Sequence, residues 1–247
     1  MTERGLAESR SQAQRLIMAG LVRVNGQVVF KPATKFTPEV EVTLDRGPRF
    51  VSRGGEKLEG ALVAFRLENL QDKVCADIGA STGGFTDCLL QHGAAKVYAV
   101  DVGYGELHWK LRNDPRVVVM ERTNARYLQS LPEPVDLVTI DASFISLKLL
   151  LPLAGGWLGR REGEVIALIK PQFEAGRVEV SRGDGVIQDP LIHRRVLEEI
   201  FAFAAENGFG IRGLVRSPLK GPKGNTEFLV WLALPGRSEE HTSELQS

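Results

Sequence analysis

Residues 77–86 read DIGASTGGFT and follow the short apolar run Val74–Ile78. A brief buried-strand pattern, a glycine-rich turn and a helical stretch (82–92) come in immediate succession. That order is how a doubly wound α/β sheet begins. Glycines let the turn bend tightly and bring its backbone close to a ligand. A helix beginning near Gly83 turns its free N–H groups toward the same place. The alternation continues outward. Residues 96–101, 117–120, 137–140 and 165–169 read as strands, and 106–112, 146–158 and 191–207 as helices. Two last strands, 211–215 and 228–234, have no helix between them and are expected to form an antiparallel edge hairpin. The fold expected is a Rossmann-like doubly wound sheet, with helix 56–67 leading into it.

Three nucleotide-binding readings compete for the loop. A Walker-type phosphate loop needs GxxxxGK[ST], and no Lys is present. A dinucleotide fingerprint needs GxGxxG, but the spacing here is Gly79, then Gly83 and Gly84. The third reading is an adenosylmethionine loop, in which an acid precedes the glycines. Asp77 would then lie near the amino-acid part of the ligand, with Gly79, Ala80, Ser81, Thr82, Gly83, Gly84 and Phe85 around it. Asp101, 22 residues after Gly79, ends the second strand and would accept both ribose hydroxyls. Val102 would flank it, and Thr123 or Asn124 would reach the adenine. The cofactor expected is S-adenosyl-L-methionine.

The front of the chain has a different character. Met1–Arg49 carries eight Lys or Arg against five acids. Ser9 is placed to cap a helix through Gln14, Leu16, Ile17 and Met18, and Gly20 to stop it. Residues 21–24 and 27–30 flank Asn25-Gly26, the strongest short hairpin signal. Residues 40–44 alternate and could pair back. This order, SRSQAQRLIMAGLVRVNGQVV, resembles the small RNA-binding domain named after ribosomal small-subunit protein four. That resemblance implies an α+β domain over residues 1–45, N-terminally incomplete because such domains open with a further half-helix. Arg4, Arg10, Arg15 and Arg23 would contact phosphates. Residues 46–55 (RGPRFVSRGG) read as a linker, and 56–236 as the sheet domain.

The segments SRGGEKLEGAL, DIGASTGGFTDCLLQHGA, DLVTIDASFISL, ALIKPQFEAG and KGNTEFLVWL occur in that order. Together with the basic front, they resemble the TlyA family of ribosomal-RNA 2′-O-methyltransferases, relatives of the FtsJ-type enzymes. The resemblance implies methyl transfer to a ribose 2′-hydroxyl, at a cytidine, through a Lys-Asp-Lys-Glu tetrad falling on Lys57, Asp141, Lys170 and Glu227. The positions also make sense by themselves. Asp141 and Lys170 end the fourth and fifth strands, Glu227 opens the last, and Lys57 lies early in the leading helix. A lysine can orient the hydroxyl or, if neutral, take its proton. Burial and a second lysine favour the neutral form, and the carboxylates oppose it. Asp141, at the sheet rim, would also border the cofactor. Residues 171–190 read as a long polar loop of lid type, and residues 217–225 bring Lys220 and Lys223 toward RNA.

The bulk numbers fit this reading. The 247 residues are 43% hydrophobic and 25% charged, with a net charge of zero. The last eleven (RSEEHTSELQS) read as a non-native tail; without them 30 basic residues face 28 acidic ones. No apolar run approaches a membrane span, and the charged start is no secretory signal. Cys75 and Cys88 form no metal pattern, and no metal is expected. The partners expected are ribosomal RNA and ribosomal subunits, not a membrane, in the cytoplasm. Two other readings stand beside this one. One is an RNA-binding or ribosome-assembly factor without catalysis. The other is a membrane-active haemolysin, disfavoured because no amphipathic Lys-rich helix is present.

Overall fold

A computed structural model describes residues 1–45, 47–159 and 163–235. The tail at 237–247 lies outside the described residues. The chain divides into two compact units, Met1–Arg49 and Phe50–Ser247.

In the first unit, α1 (Arg10–Met18) is followed by β1 (Val22–Val24), β2 (Gln27–Val28) and β3 (Val42–Leu44). The Ser9 hydroxyl accepts from the Gln12 N–H and caps α1, as expected. Asn25 and Gly26, with φ of 49° and 80°, make the tight turn that pairs β1 with β2. β3 pairs with the other side of β1. The core is small, with Ala7, Val22 and Val24 buried.

The second unit begins earlier than the linker reading placed it. Phe50 is buried with Leu58, Leu62 and Phe85, and α2 (Gly54–Phe65) already starts inside the stretch read as linker. A Cβ on Gly55 would collide with the Phe50 ring at 2.3 Å, so the small residue there lets the entering chain pack against α2. Then come β4 (Val74–Ile78), α3 (Gly84–Gln91), β5 (Lys96–Val100), α4 (Trp109–Arg112), β6 (Val117–Met120) and β7 (Leu137–Ile140). They are followed by α5 (Leu151–Trp157), β8 (Gly163–Ile169), α6 (Pro171–Glu174), α7 (Arg177–Arg182), α8 (Pro190–Glu206), β9 (Gly210–Arg216) and β10 (Phe228–Leu234).

The seven strands run in the order β6-β5-β4-β7-β8-β10-β9. The first five are mutually parallel, and β10 is antiparallel to both its neighbours. The expected antiparallel edge hairpin is present: β9 and β10 pair at one end of the sheet, with β10 beside β8 and β9 outermost. The reason is burial. Leu229, Val230 and Leu232 are fully buried, whereas β9 exposes Ile211, Arg212 and Leu214. A strand apolar on both faces belongs inside a sheet. Two apolar layers cover the sheet. One includes Trp157, Ile200 and Val138, and the other Leu58, Leu89 and Leu168. The order reverses at β4, so a crevice opens where the chain leaves β4 and β7. The polar loop expected at 171–190 is broken by α6 and α7.

Candidate active site

Strand ends and helix starts bring the predicted residues to this crevice. Gly79 continues β4 with φ of 82°, and its N–H donates to the Val100 carbonyl at 2.9 Å. A Cβ there would stand 2.7 Å from the Asp141 carbonyl oxygen, backbone that cannot yield. Gly83, with φ of 96°, precedes α3, and a Cβ there would meet Leu111 at 2.2 Å. Both positions therefore require glycine on two counts, conformation and contact. Ser81 is left-handed too, and its N–H donates to Asp101 Oδ2 at 2.8 Å. The Gly103 N–H holds Oδ1 at 2.7 Å. Asp101 thus braces the loop, and each of its oxygens keeps a second lone pair.

A crevice beside Asp101 is walled by Ala80, Ala99, Leu107 and Val119, with Ser81, Glu106 and Glu121 at its polar side. The crevice holds only about 10 Å³, so an adenosine beside Asp101 would require these apolar walls to part. Val102 is two-thirds exposed next to it. Thr123 and Asn124 do not line this crevice. The Thr123 hydroxyl donates to the Glu121 carbonyl, and the Asn124 side chain caps the turn at Arg126.

Asp77 behaves differently from the expectation that it sits near the ligand. It is fully buried beneath the loop, with Thr86 Oγ1 donating to Oδ2 at 2.7 Å and Thr139 Oγ1 to Oδ1 at 3.0 Å. Burial pushes its carboxyl up to about 7, against the pull of those two hydroxyls. Its role in the structure is to tie α3 and β7 to the end of β4.

The other face of the loop opens on a cleft of about 1410 Å³. Lys57, Asp141, Lys170 and Glu227 all line it, together with Gly79, Ala80, Ser81, Thr82, Gly84 and Phe85. Two close ion pairs organise the four. Lys170 Nζ lies 2.6 Å from Asp141 Oδ1, and Lys57 Nζ lies 2.6 Å from Glu227 Oε2. Three of the four are buried, which is tolerable only because they are paired. Glu227 Oε1 is buried without a donor among the described residues. Lys220 and Lys223 stand at the cleft rim, Lys223 donating to the Asp184 carbonyl at 3.2 Å.

Two cleft residues escaped the sequence reading. The Ser143 hydroxyl accepts from Lys170 Nζ at 2.9 Å. Phe144 is 90% exposed with φ of 63°, and its ring lies 4.9 Å from that of Phe173. The only available signal was a Ser-Phe pair just past a strand-end acid.

In the first unit, Arg10 and Arg15 are exposed on α1. Arg4 is instead tied to the Val40 and Pro38 carbonyls, and Arg23 to Asp45 at 2.9 Å. Those two guanidinium groups serve the domain's own loops. Among the described residues no cluster of His, Cys, Asp and Glu could hold a metal ion, and no helix is long and apolar enough to cross a membrane.

A family profile described as FtsJ-like methyltransferase matches residues 50–234, and an S4 domain profile matches residues 1–42. The 16S/23S rRNA (cytidine-2′-O)-methyltransferase TlyA of Mycobacterium tuberculosis is 49% identical over 236 residues, 94% of this chain and 87% of that one. The chain belongs to the TlyA family of FtsJ-like methyltransferases. Hemolysin A of Brachyspira hyodysenteriae, also similar to this TlyA-family chain, is 45% identical over 92% of it and 94% of its own length. A solved structure from Streptococcus thermophilus, described as a presumed hemolysin, matches with a TM-score of 0.73 at 48% identity, over 94% of this chain and 86% of that one.

Proposed function

We propose that the protein transfers a methyl group from S-adenosylmethionine to a ribose 2′-hydroxyl of ribosomal RNA, at a cytidine. The observation that carries this reading is the convergence of Lys57, Asp141, Lys170 and Glu227 on one cleft beside the glycine loop. The residues fit the cofactor. Asp101 would accept the ribose hydroxyls, with the walls at Ala80, Ala99, Leu107 and Val119 parting to admit the adenine, and the α3 start with the Gly79–Gly84 backbone suits the amino-acid portion. When bound, the sulfonium supplies an electrophilic methyl. Asp77 acts from behind, keeping the loop in shape.

The acceptor hydroxyl is placed by Lys170. Its Nζ touches Asp141 and Ser143, leaving one further direction for the ribose oxygen. As the hydroxyl attacks, Lys170 in its neutral amine form takes the hydroxyl proton on its free lone pair, and Asp141 pairs with the ammonium that results. Lys57 and Glu227 fix the far wall, and Glu227 Oε1 is available to a ribose hydroxyl. Phe144 and Phe173 offer a face on which a base turned out of its helix can stack. Arg10, Arg15, Lys220 and Lys223 would hold phosphates, and the protein would work in the cytoplasm, where ribosomes are made.

The test is transfer of labelled methyl from the cofactor to purified small and large ribosomal subunits, followed by mapping of the modified ribose. Label resistant to alkaline cleavage at a cytidine supports the reading. A protein that binds the cofactor and the subunits yet labels neither is a binding factor instead.

A further inference from the structure

The ends of β7 and β8 carry Asp141 and Lys170, and one half-buried side chain ties together the segments that follow them. The Ser146 hydroxyl donates to Glu174 Oε2 at 2.6 Å, and the Leu147 N–H donates to Oε1 at 2.8 Å. Ser146 in turn accepts from the Lys148 N–H, so the same contact starts the short 3-10 helix Leu147–Leu149. Glu174 closes α6, the four-residue helix that Lys170 opens and that carries Phe173. Between the two anchored points hang Ser143, the partner of Lys170, and Phe144. A bulky residue at φ of 63° is strained and persists only where its surroundings hold it. The Phe144 ring, being 90% exposed, is held by little else than Phe173 and its own backbone. Burying a carboxylate is costly, and burial raises the Glu174 carboxyl above its usual range. An apolar residue would fill the space without that cost but could not accept two hydrogen bonds.

We propose that Glu174 is a positioning residue for the acceptor nucleotide: it clamps the segment bearing Ser143 and Phe144 to the segment bearing Lys170, so that base and ribose are presented together. This rests on the RNA 2′-O-methyl transfer reading above. The clamp does not line the crevice beside Asp101, whose walls come from the loop after β4, from β5 and β6, and from the segment before α4. Loss of the clamp therefore acts on turnover and leaves cofactor binding alone.

The experiment compares wild type, Glu174→Ala, Glu174→Gln and Ser146→Ala for kcat and KM with ribosomal RNA. Cofactor affinity is measured separately by calorimetry. Misplacement of a reacting group by about 1 Å costs up to ~100-fold, so Glu174→Ala is expected to lower kcat by ~10–100-fold at unchanged cofactor affinity. Glu174→Gln can still accept from Leu147 and donate to Ser146, and it should recover most of the rate. Ser146→Ala removes one contact only and should fall between. It also carries the test if Glu174→Ala fails to fold. Wild-type kcat in Glu174→Ala, a matching loss of cofactor affinity, or a Gln variant as slow as the Ala variant would overturn the clamp alone. Absence of methyl transfer by the wild type would overturn the parent reading and the clamp with it.

Discussion

Lys57 Nζ and Glu227 Oε2 lie 2.6 Å apart, out of solvent, although 170 residues separate them in the chain. The pair joins the start of α2 to the start of β10, so one contact reports on both fold and cleft. Removing one partner leaves the other as an unpaired buried charge, which typically costs about 3–5 kcal/mol. Lys57→Ala and Glu227→Ala should each unfold at markedly lower urea. Lys57→Met combined with Glu227→Leu should recover much of that stability, because hydrophobic replacement of a buried pair is often neutral, but not methyl transfer. Urea midpoints and transfer rates on the four proteins check this. An inactive double variant of good stability separates the pair's chemistry from its packing.

Lys170 makes a sharper case. It contacts Asp141 at 2.6 Å and Ser143 at 2.9 Å, and it borders the cleft. Lys170→Ala is expected to abolish turnover, by ~100-fold or more, with cofactor affinity within about threefold of wild type. Ser143→Ala removes one guide and should cost less than Lys170→Ala. Single-turnover transfer and calorimetric titration give the two numbers. Near-normal transfer by a folded Lys170→Ala protein would remove Lys170 from the chemistry.

Much of this architecture is legible in the chain, for identifiable reasons. Strand-end residues such as Asp141 and Lys170 are marked by apolar runs that stop at a charge. The Ser9 cap and the Asn25-Gly26 turn are local signals, and both are found. What was not legible depends on contacts between distant segments. The insertion of β10 beside β8 is a choice among sheet neighbours that no local pattern encodes. The burial of Asp77 arises because Thr86 and Thr139 converge on it from α3 and β7. Arg4 and Arg23 look like RNA contacts by composition, yet carbonyls and Asp45 claim them. Phe144 reads as an ordinary hydrophobic until its backbone conformation is known.

The glycines of the loop give a graded prediction. Gly79→Ala meets both a positive φ and the Asp141 backbone at 2.7 Å. Gly105→Ala shares a positive φ of 75° but has open space around it. The second should lose only the conformational term, about 1–2 kcal/mol. The first must also displace the β7 end, which adds about 1–3 kcal/mol of overpacking and shifts Asp141. Cofactor affinity should therefore fall in Gly79→Ala and stay near wild type in Gly105→Ala, as read by calorimetry. Equal effects would mean that loop contact with β7 is unimportant.

Asp77 predicts how stability changes with pH. Its carboxyl has an ordinary value of 3.8 and is pushed to about 7 by burial. A carboxyl whose value is raised on folding binds its proton more tightly in the folded state. Below about pH 4 both states are protonated, and the folded protein carries no penalty from this group. Between about pH 4 and 7 the unfolded chain ionises while the folded one resists, so this contribution falls steadily; above about 7 it levels off. Asp77→Asn keeps the shape, and the Thr86 and Thr139 hydroxyls can reorient toward an amide. The variant removes the titration. Urea midpoints measured from pH 4 to 8 should show the wild type losing ground relative to Asp77→Asn as pH rises. The difference between the two curves cancels the surface groups common to both. Two curves that stay parallel across that range would mean that Asp77 is already charged in the folded protein, with Thr86 and Thr139 enough to hold it.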